Sequence, residues 1–189
     1  EKGETTAAFA LLTPGDIIYI RGIYGAAAPS VPDAQAGDIK RIIIAAGGTG
    51  LAVAPKLAEE HFLKGTEVTV YYGGPGEEGE SLRIALEGKS KFISVPDKGI
   101  PGRAVDVMLQ DLSETRGQEA LDISNTIFYT VGPVKFMDKA ARAFEKTGAA
   151  PEKIFISLET PTLCGVGLCG ACSCGGRLTC REGDRKSVV

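Results

Sequence analysis

Five cysteines crowd the end of this chain, Cys164, Cys169, Cys172, Cys174 and Cys180, and none precedes Cys164. Cysteines placed for packing would scatter. Cys164, Cys169 and Cys172 follow the C-x4-C-x2-C spacing, with a further cysteine a short loop later, the plant-type ligand pattern of a [2Fe–2S] cluster. Two irons bridged by two sulfides need four thiolates. A tight loop of small residues lets the backbone wrap close to such an inorganic core, and Gly165, Gly167, Gly170 and Ala171 supply it. Glycine suits the turns because it reaches backbone conformations closed to other residues. Backbone N–H groups in the loop would point at sulfur and help set the reduction potential.

Two other chemistries use clustered thiols. Cys169-x2-Cys172 is half of a zinc knuckle, although no second C-x2-C pair accompanies it. A disulfide framework is disfavoured by the odd cysteine count and by the ordinary core of the remaining chain. Within the iron–sulfur reading, five thiols compete for four places. The last ligand must reach round the cluster; two residues of chain span at most about 7 Å, whereas eight give ample reach. Reach therefore favours Cys164, Cys169, Cys172 and Cys180 and leaves Cys174 as the spare, without excluding it.

A second pattern points to a nucleotide. Gly47, Gly48, Thr49 and Gly50 join an apolar run, Arg41 to Ala46, to a segment with helical spacing. Glycines at such a turn let the backbone approach a pyrophosphate, and the helix end supplies N–H donors and a favourable dipole. The full G-x-G-x-x-G fingerprint is incomplete, with Val53 in its last place, and tight packing alone would also call for glycine. In the next strand's loop, Glu77, Glu78 and Glu80 stand where a ribose 2′-phosphate would be repelled, which favours NAD over NADP. A solvated acidic loop is the plainer alternative. His61, the one histidine, is flanked by Glu59, Glu60 and Lys64 and reads as a surface residue. Histidine-pair zinc chemistry and a serine elbow are both absent, so the chemistry must come from cofactors.

The elements that position these residues alternate regularly. Strands are expected at Arg41–Ala46, Glu67–Tyr72, Lys91–Val95, Thr126–Val131 and Lys153–Ser157. Helices are expected at 51–64, 103–112 and 134–147. The pattern implies an α/β fold, a doubly wound five-stranded parallel sheet, with ligands at the carboxyl ends of its strands. Those ends carry Gly47 to Gly50, Gly73 and Gly74, and Gly132 and Pro133, three loops that should converge on one edge. Residues 1–28 read as β-hairpin material, Phe9 to Leu12 and Asp16 to Arg21 about a Thr13-Pro14-Gly15-Asp16 turn. Ala26 to Gly37 reads as a linker.

In a chain of 189 residues, the net charge of −3 gives no reason to expect nucleic acid, and no apolar run is long enough to span a bilayer. Clustered thiols without a secretory signal suit a reducing cytoplasm. The chain begins at Glu1 without an initiator Met, so a processed or partial chain is expected.

Taken together, these motifs resemble the ferredoxin–NAD(P) reductase superfamily, and most of all the iron–sulfur electron-transfer subunits of type B dihydroorotate dehydrogenases. Ile156 to Glu159 followed by Cys164 to Cys172 is similar to the cluster loop. Tyr129 to Pro133 followed by Met137 resembles the motif beside the nicotinamide, and Gly47 to Gly50 with Pro55 the dinucleotide loop. Lys2 to Thr6, Pro14 to Asp16 and Gly22 to Gly25 look like the end of the FAD-binding barrel, where Gly3, Thr5 and Thr6 would meet the flavin pyrophosphate. Cys164 stands where the related transhydrogenase group often has Asp, which turns the resemblance toward the dihydroorotate type.

The resemblance implies three parts: residues 1–37 as the end of the FAD barrel and a linker, 38–158 as the NAD-binding α/β domain, and 159–189 as a small [2Fe–2S] domain. It implies electron transfer between NAD, FAD and the cluster, to or from a partner such as an FMN-containing dihydroorotate dehydrogenase of pyrimidine biosynthesis. Small subunits of ferredoxin–NADP transhydrogenase, sulfide dehydrogenase or cytoplasmic hydrogenases are the alternatives. The rival of another class is a non-catalytic, zinc-stabilised nucleotide-binding module. Most of the barrel would lie before Glu1, so this chain is expected to bind FAD poorly and to be incompetent in turnover by itself.

Overall fold

The computed structural model describes residues 3–22, 24, 39–74, 80–115, 122–158, 160–183 and 185–186. Its centre is a sheet in which β1 (Arg41–Gly47), β2 (Glu67–Gly74), β3 (Lys91–Pro96), β4 (Thr126–Val131) and β5 (Ile154–Ile156) run parallel in the order β3-β2-β1-β4-β5. The five expected parallel strands are all present. A sixth, β8 (Arg185–Lys186), pairs antiparallel with β5 at the edge. This strand was not foreseen, because two charged residues in a polar tail carry no periodic signal.

Strand sequences this apolar require cover on both faces. Ile42, Ile44 and Ala46 of β1 join Val68, Val70, Tyr129 and Phe155 beneath helix α2 (Ala54–Phe62), which adds Leu57 and Ala58. Leu86, at the end of α3 (Glu80–Leu86), completes that core. Ile43 and Ala45 point the other way, into a core with Val105, Met108 and Leu112 of α4 (Arg103–Thr115) and Ala140, Ala141 and Phe144 of α5 (Val134–Lys146). Phe144 meets Phe128 of β4 with ring centroids 4.6 Å apart. Burying each such isoleucine or phenylalanine contributes about 1.5–3 kcal/mol. The sheet is doubly wound.

Several expectations need correction. The helix expected over 51–64 divides into a 3-10 turn, Gly48–Val53, and α2, with Pro55 in the first turn of the α-helix. Proline fits there because the first helical N–H groups lack partners in any case. Helix α3 is not among the helices expected; its seven residues follow an acidic, glycine-rich stretch that masks the start. His61 is not at the surface. It is 3% exposed and continues the stripe of Ala54, Leu57 and Ala58, one turn beyond Ala58 on the core face. Its charged neighbours had suggested solvent, but helical periodicity places it inward.

The N-terminal hairpin is not formed. Glu4–Phe9 is a short helix, α1, exposed along its length, and residues 16–21 join no ladder. The turn itself is as expected: Thr13 donates its N–H to the Asp16 carboxylate at 2.7 Å, and Gly15 takes φ 107°. A strand needs a partner to satisfy its backbone, and among the described residues none lies beside 16–21. The Ala26–Gly37 linker and Glu77 and Glu78 fall outside the described residues.

Beyond β5 the chain builds a hairpin, β6 (Ser173–Cys174) with β7 (Arg177–Leu178), followed by a single helical turn, α6 (Thr179–Glu182). No described helix is long and apolar enough to cross a membrane.

Candidate functional site

The sheet order reverses direction between β1 and β4, and the loops leaving these two strands press against each other. A Cβ placed on Gly50 would lie 2.7 Å from the Val131 carbonyl oxygen and 2.8 Å from the Gly132 nitrogen. One placed on Gly132, whose φ is 138°, would lie 2.7 Å from the Gly47 oxygen. These glycines let two backbones touch at the point where a doubly wound sheet opens its crevice. Phe136 of α5 forms the floor, 2.9 Å from a Cβ at Gly47 and 3.4 Å from one at Gly73. Pro133 caps α5 by accepting from the N–H groups of Phe136 and Met137 at 2.8 and 3.0 Å. At Gly74 a side chain would run into the Tyr72 ring.

Gly48 differs from these. Its φ is 53°, and nothing lies within 4 Å of the place a Cβ would occupy. Its left-handed backbone therefore faces open space, followed by Thr49 and the helical turn. The three glycine-bearing loops thus meet on one edge as the spacing implied, most of their glycines serving loop packing and Gly48 facing open space. Thr130, one residue before Val131, has a buried hydroxyl with no hydrogen-bond partner among the described residues.

The sequence reading missed Asp97. Its N–H donates to the Gly74 carbonyl at 3.0 Å, and its carboxylate oxygen lies 3.5 Å from the Cβ position of Gly73. An acid therefore stands on the edge of the glycine loops, at the end of β3. Its signal was an aspartate directly after an apolar run, overlooked in favour of the denser acidic stretch after β2.

The cysteine loop is built around one sulfur. The N–H groups of Val166, Leu168 and Cys169 point at Cys164 Sγ at 3.5, 3.3 and 3.5 Å. Gly165, Gly167 and Gly170, with φ of 75°, 83° and 73°, make the turns that aim them. These donors, Val166 first, lower the Cys164 thiol to about 6, with the Cys169 side chain adding to them. Thiolate is the form a metal takes.

Cys172 and Cys180 form a second pair. Both are buried, and the backbone N–H and side chain of Cys180 favour the Cys172 thiolate, which in turn raises Cys180. Thr179 fixes this corner by donating its N–H and its hydroxyl to the Cys172 carbonyl at 3.2 and 3.3 Å. The Leu178 and Arg181 side chains pack against Gly167, so the Cys164 loop and the corner of Cys172 and Cys180 adjoin. Cys174 sits in β6, exposed and in neither pair; all five thiols are free of disulfides.

Among the described residues, no three or more metal-ligating side chains gather round one point as a single ion would need. Two thiol pairs suit a cluster in which each of two irons takes two thiolates. Gly3, Thr5 and Thr6 lie exposed at the start of α1, and the described residues build no barrel.

No protein-family model matches the chain. Among curated proteins, it is 31% identical over 186 residues to a probable dihydroorotate dehydrogenase B (NAD(+)), electron transfer subunit, of Methanopyrus kandleri, covering 96% of this chain and 64% of the relative. The protein of the same description from Archaeoglobus fulgidus is 31% identical over 187 residues, covering 96% and 71%. Sulfhydrogenase 2 subunit gamma of Pyrococcus furiosus is 27% identical over 205 residues, covering 96% and 69%. The chain thus spans just under two thirds of the Methanopyrus relative. A solved NADH-dependent reduced ferredoxin-NADP oxidoreductase, described for flavin-based electron bifurcation, matches 97% of this chain and 64% of its own, with a TM-score of 0.69 and 21% identity. That likeness concerns the fold.

Proposed function

Because the chain belongs to the family of dihydroorotate dehydrogenase B electron-transfer subunits, we propose that it carries electrons between a nicotinamide cofactor and a [2Fe–2S] cluster, and onward to or from a partner catalytic subunit. The observation that carries this reading is the set of three backbone N–H groups on Cys164 Sγ, one of them from Cys169, together with the buried Cys172 and Cys180. These four would hold the cluster, which supplies one-electron chemistry when bound. The N–H groups around Cys164 hold its charge without a proton, and Gly165 and Gly167 let the Tyr24 and Arg181 side chains close over the loop.

NAD is assigned to the edge formed by Gly47, Gly48, Thr49, Gly50, Gly73, Gly74, Gly132 and Pro133. The open backbone at Gly48 and the helical turn behind it suit a pyrophosphate. Asp97 suits ribose hydroxyls and disfavours a 2′-phosphate, so NAD is preferred over NADP. FAD is assigned on family grounds to the region that includes Gly3, Thr5 and Thr6, and the catalytic partner to an FMN-containing dihydroorotate dehydrogenase of pyrimidine biosynthesis. The residues on either side of the linker would then be a barrel remnant and the NAD-binding domain, with residues 159–189 as the cluster domain in a cytoplasmic complex. A hydrogenase-type partner is a second reading, favoured by the likeness to the Pyrococcus furiosus sulfhydrogenase subunit.

Anaerobic purification followed by iron, acid-labile sulfide and zinc analysis tests the cluster, with EPR of the reduced sample. Two irons and two sulfides per chain with a one-spin signal are expected. Zinc without sulfide, in a colourless protein, would remove the redox reading.

A further inference from the structure

Arg21 lies far from the cysteines in sequence and next to them in space. Its guanidinium Nη2 donates to the carbonyl oxygens of Leu163 at 2.8 Å and Cys164 at 2.7 Å. Its carbon lies 5.8 Å from the centroid of the Tyr24 ring. That ring covers Gly165 so closely that any side chain there would collide with it. The N-terminal segment therefore grips the cysteine loop at three successive residues, Leu163 and Cys164 by charge-assisted hydrogen bonds and Gly165 by ring contact. Neither contact belongs to the two cores of the sheet, whose members are elsewhere in the chain.

We infer that Arg21 is a positioning residue for the cluster, and that its charge sets part of the cluster's reduction potential; this rests on the iron–sulfur reading above. One-electron reduction adds a negative charge to a cluster already held by four thiolates. A cation bonded to the backbone of a ligand stabilises the reduced form more than the oxidised one and raises the potential. Hydrogen bonds and net charge near the sulfurs are the protein's main levers on that quantity. Arg21 is exposed, so the effect is reduced by salt without vanishing. Arginine suits the place better than lysine because its planar group can donate to two acceptors in a fixed geometry.

The test is an EPR-monitored redox titration of the full chain and its Arg21→Gln and Arg21→Met variants. Glutamine keeps a donor and loses the charge; methionine loses both. Each should fold, since Arg21 is outside both cores, and far-UV circular dichroism checks this. The expected result is a lower midpoint, by about a tenfold change in the reduction equilibrium, about 59 mV for one electron. Raising the salt concentration should narrow the gap from wild type. A folded variant that takes up no cluster also supports the positioning role. Wild-type midpoints in both loaded variants would overturn the inference, and so would loss of fold in both, which would make Arg21 a residue of general stability. If the wild-type chain itself takes up no iron or sulfide, the iron–sulfur reading fails instead.

Discussion

Cys164 accepts three backbone N–H groups, Cys172 and Cys180 share a buried corner, and Cys174 stands apart in a hairpin. Substitution should separate them accordingly. Serine at 164, 169, 172 or 180 is expected to abolish the cluster, read as lost iron, lost sulfide and a missing EPR signal. Cys174→Ser should retain all three; loss of the cluster in this variant alone would shift the ligand register. On the nucleotide edge, Asp97→Asn removes the one acid described beside Gly73. We expect the preference for NADH over NADPH to narrow by about tenfold, ~1.4 kcal/mol in binding, as measured by titration of cofactor fluorescence. An unchanged ratio would take Asp97 out of cofactor choice.

At the scale of elements, the contact between the β1 and β4 loops is backbone against backbone and has no slack. Gly50→Ala or Gly132→Ala must force the loops apart, and destabilisation of about 1–3 kcal/mol is expected in urea unfolding. Gly48→Ala strains only φ and should cost less stability while weakening nucleotide binding. Helix α2 carries a second prediction through His61. Burial lowers its folded value below the ordinary 6.5, with Lys64 contributing in the same direction. The unfolded chain therefore takes the proton first. Stability should be full above pH 6.5 and fall as pH drops through that value, by at most about 1.4 kcal/mol per unit until the folded histidine also titrates. His61→Leu should flatten this profile; a profile equally steep in the variant would assign it to other groups.

For the whole molecule, the described parts divide the work unequally. The α/β sheet carries both apolar cores, whereas residues 3–21 leave Leu11, Ile17, Tyr19 and Ile20 largely exposed. With no barrel among the described residues, the purified chain should carry iron and sulfide but much less than one flavin. Flavin released by acid and measured by fluorescence checks this; a stoichiometric yield would mean that residues 3–24 hold FAD without further strands. The parallel strands were legible because burial on both faces writes continuous apolar runs. The N-terminal segment was misread because alternation signals a strand only when another strand is present to pair with it.

The sequence by itself determined the α/β class, the five parallel strands and the cysteine cluster, since these follow from local periodicity and from spacings that chain length cannot stretch. Tertiary structure decided what depends on neighbours distant in the chain. It put His61 inside, because burial follows the helix face and not the charge of adjacent residues. It set Cys164 Sγ among the backbone N–H groups of its loop, buried Cys172 and Cys180, and left Cys174 on a hairpin. It brought Asp97 beside Gly73 and Arg21 beside Cys164, contacts between segments whose separation in the chain carries no sequence signal.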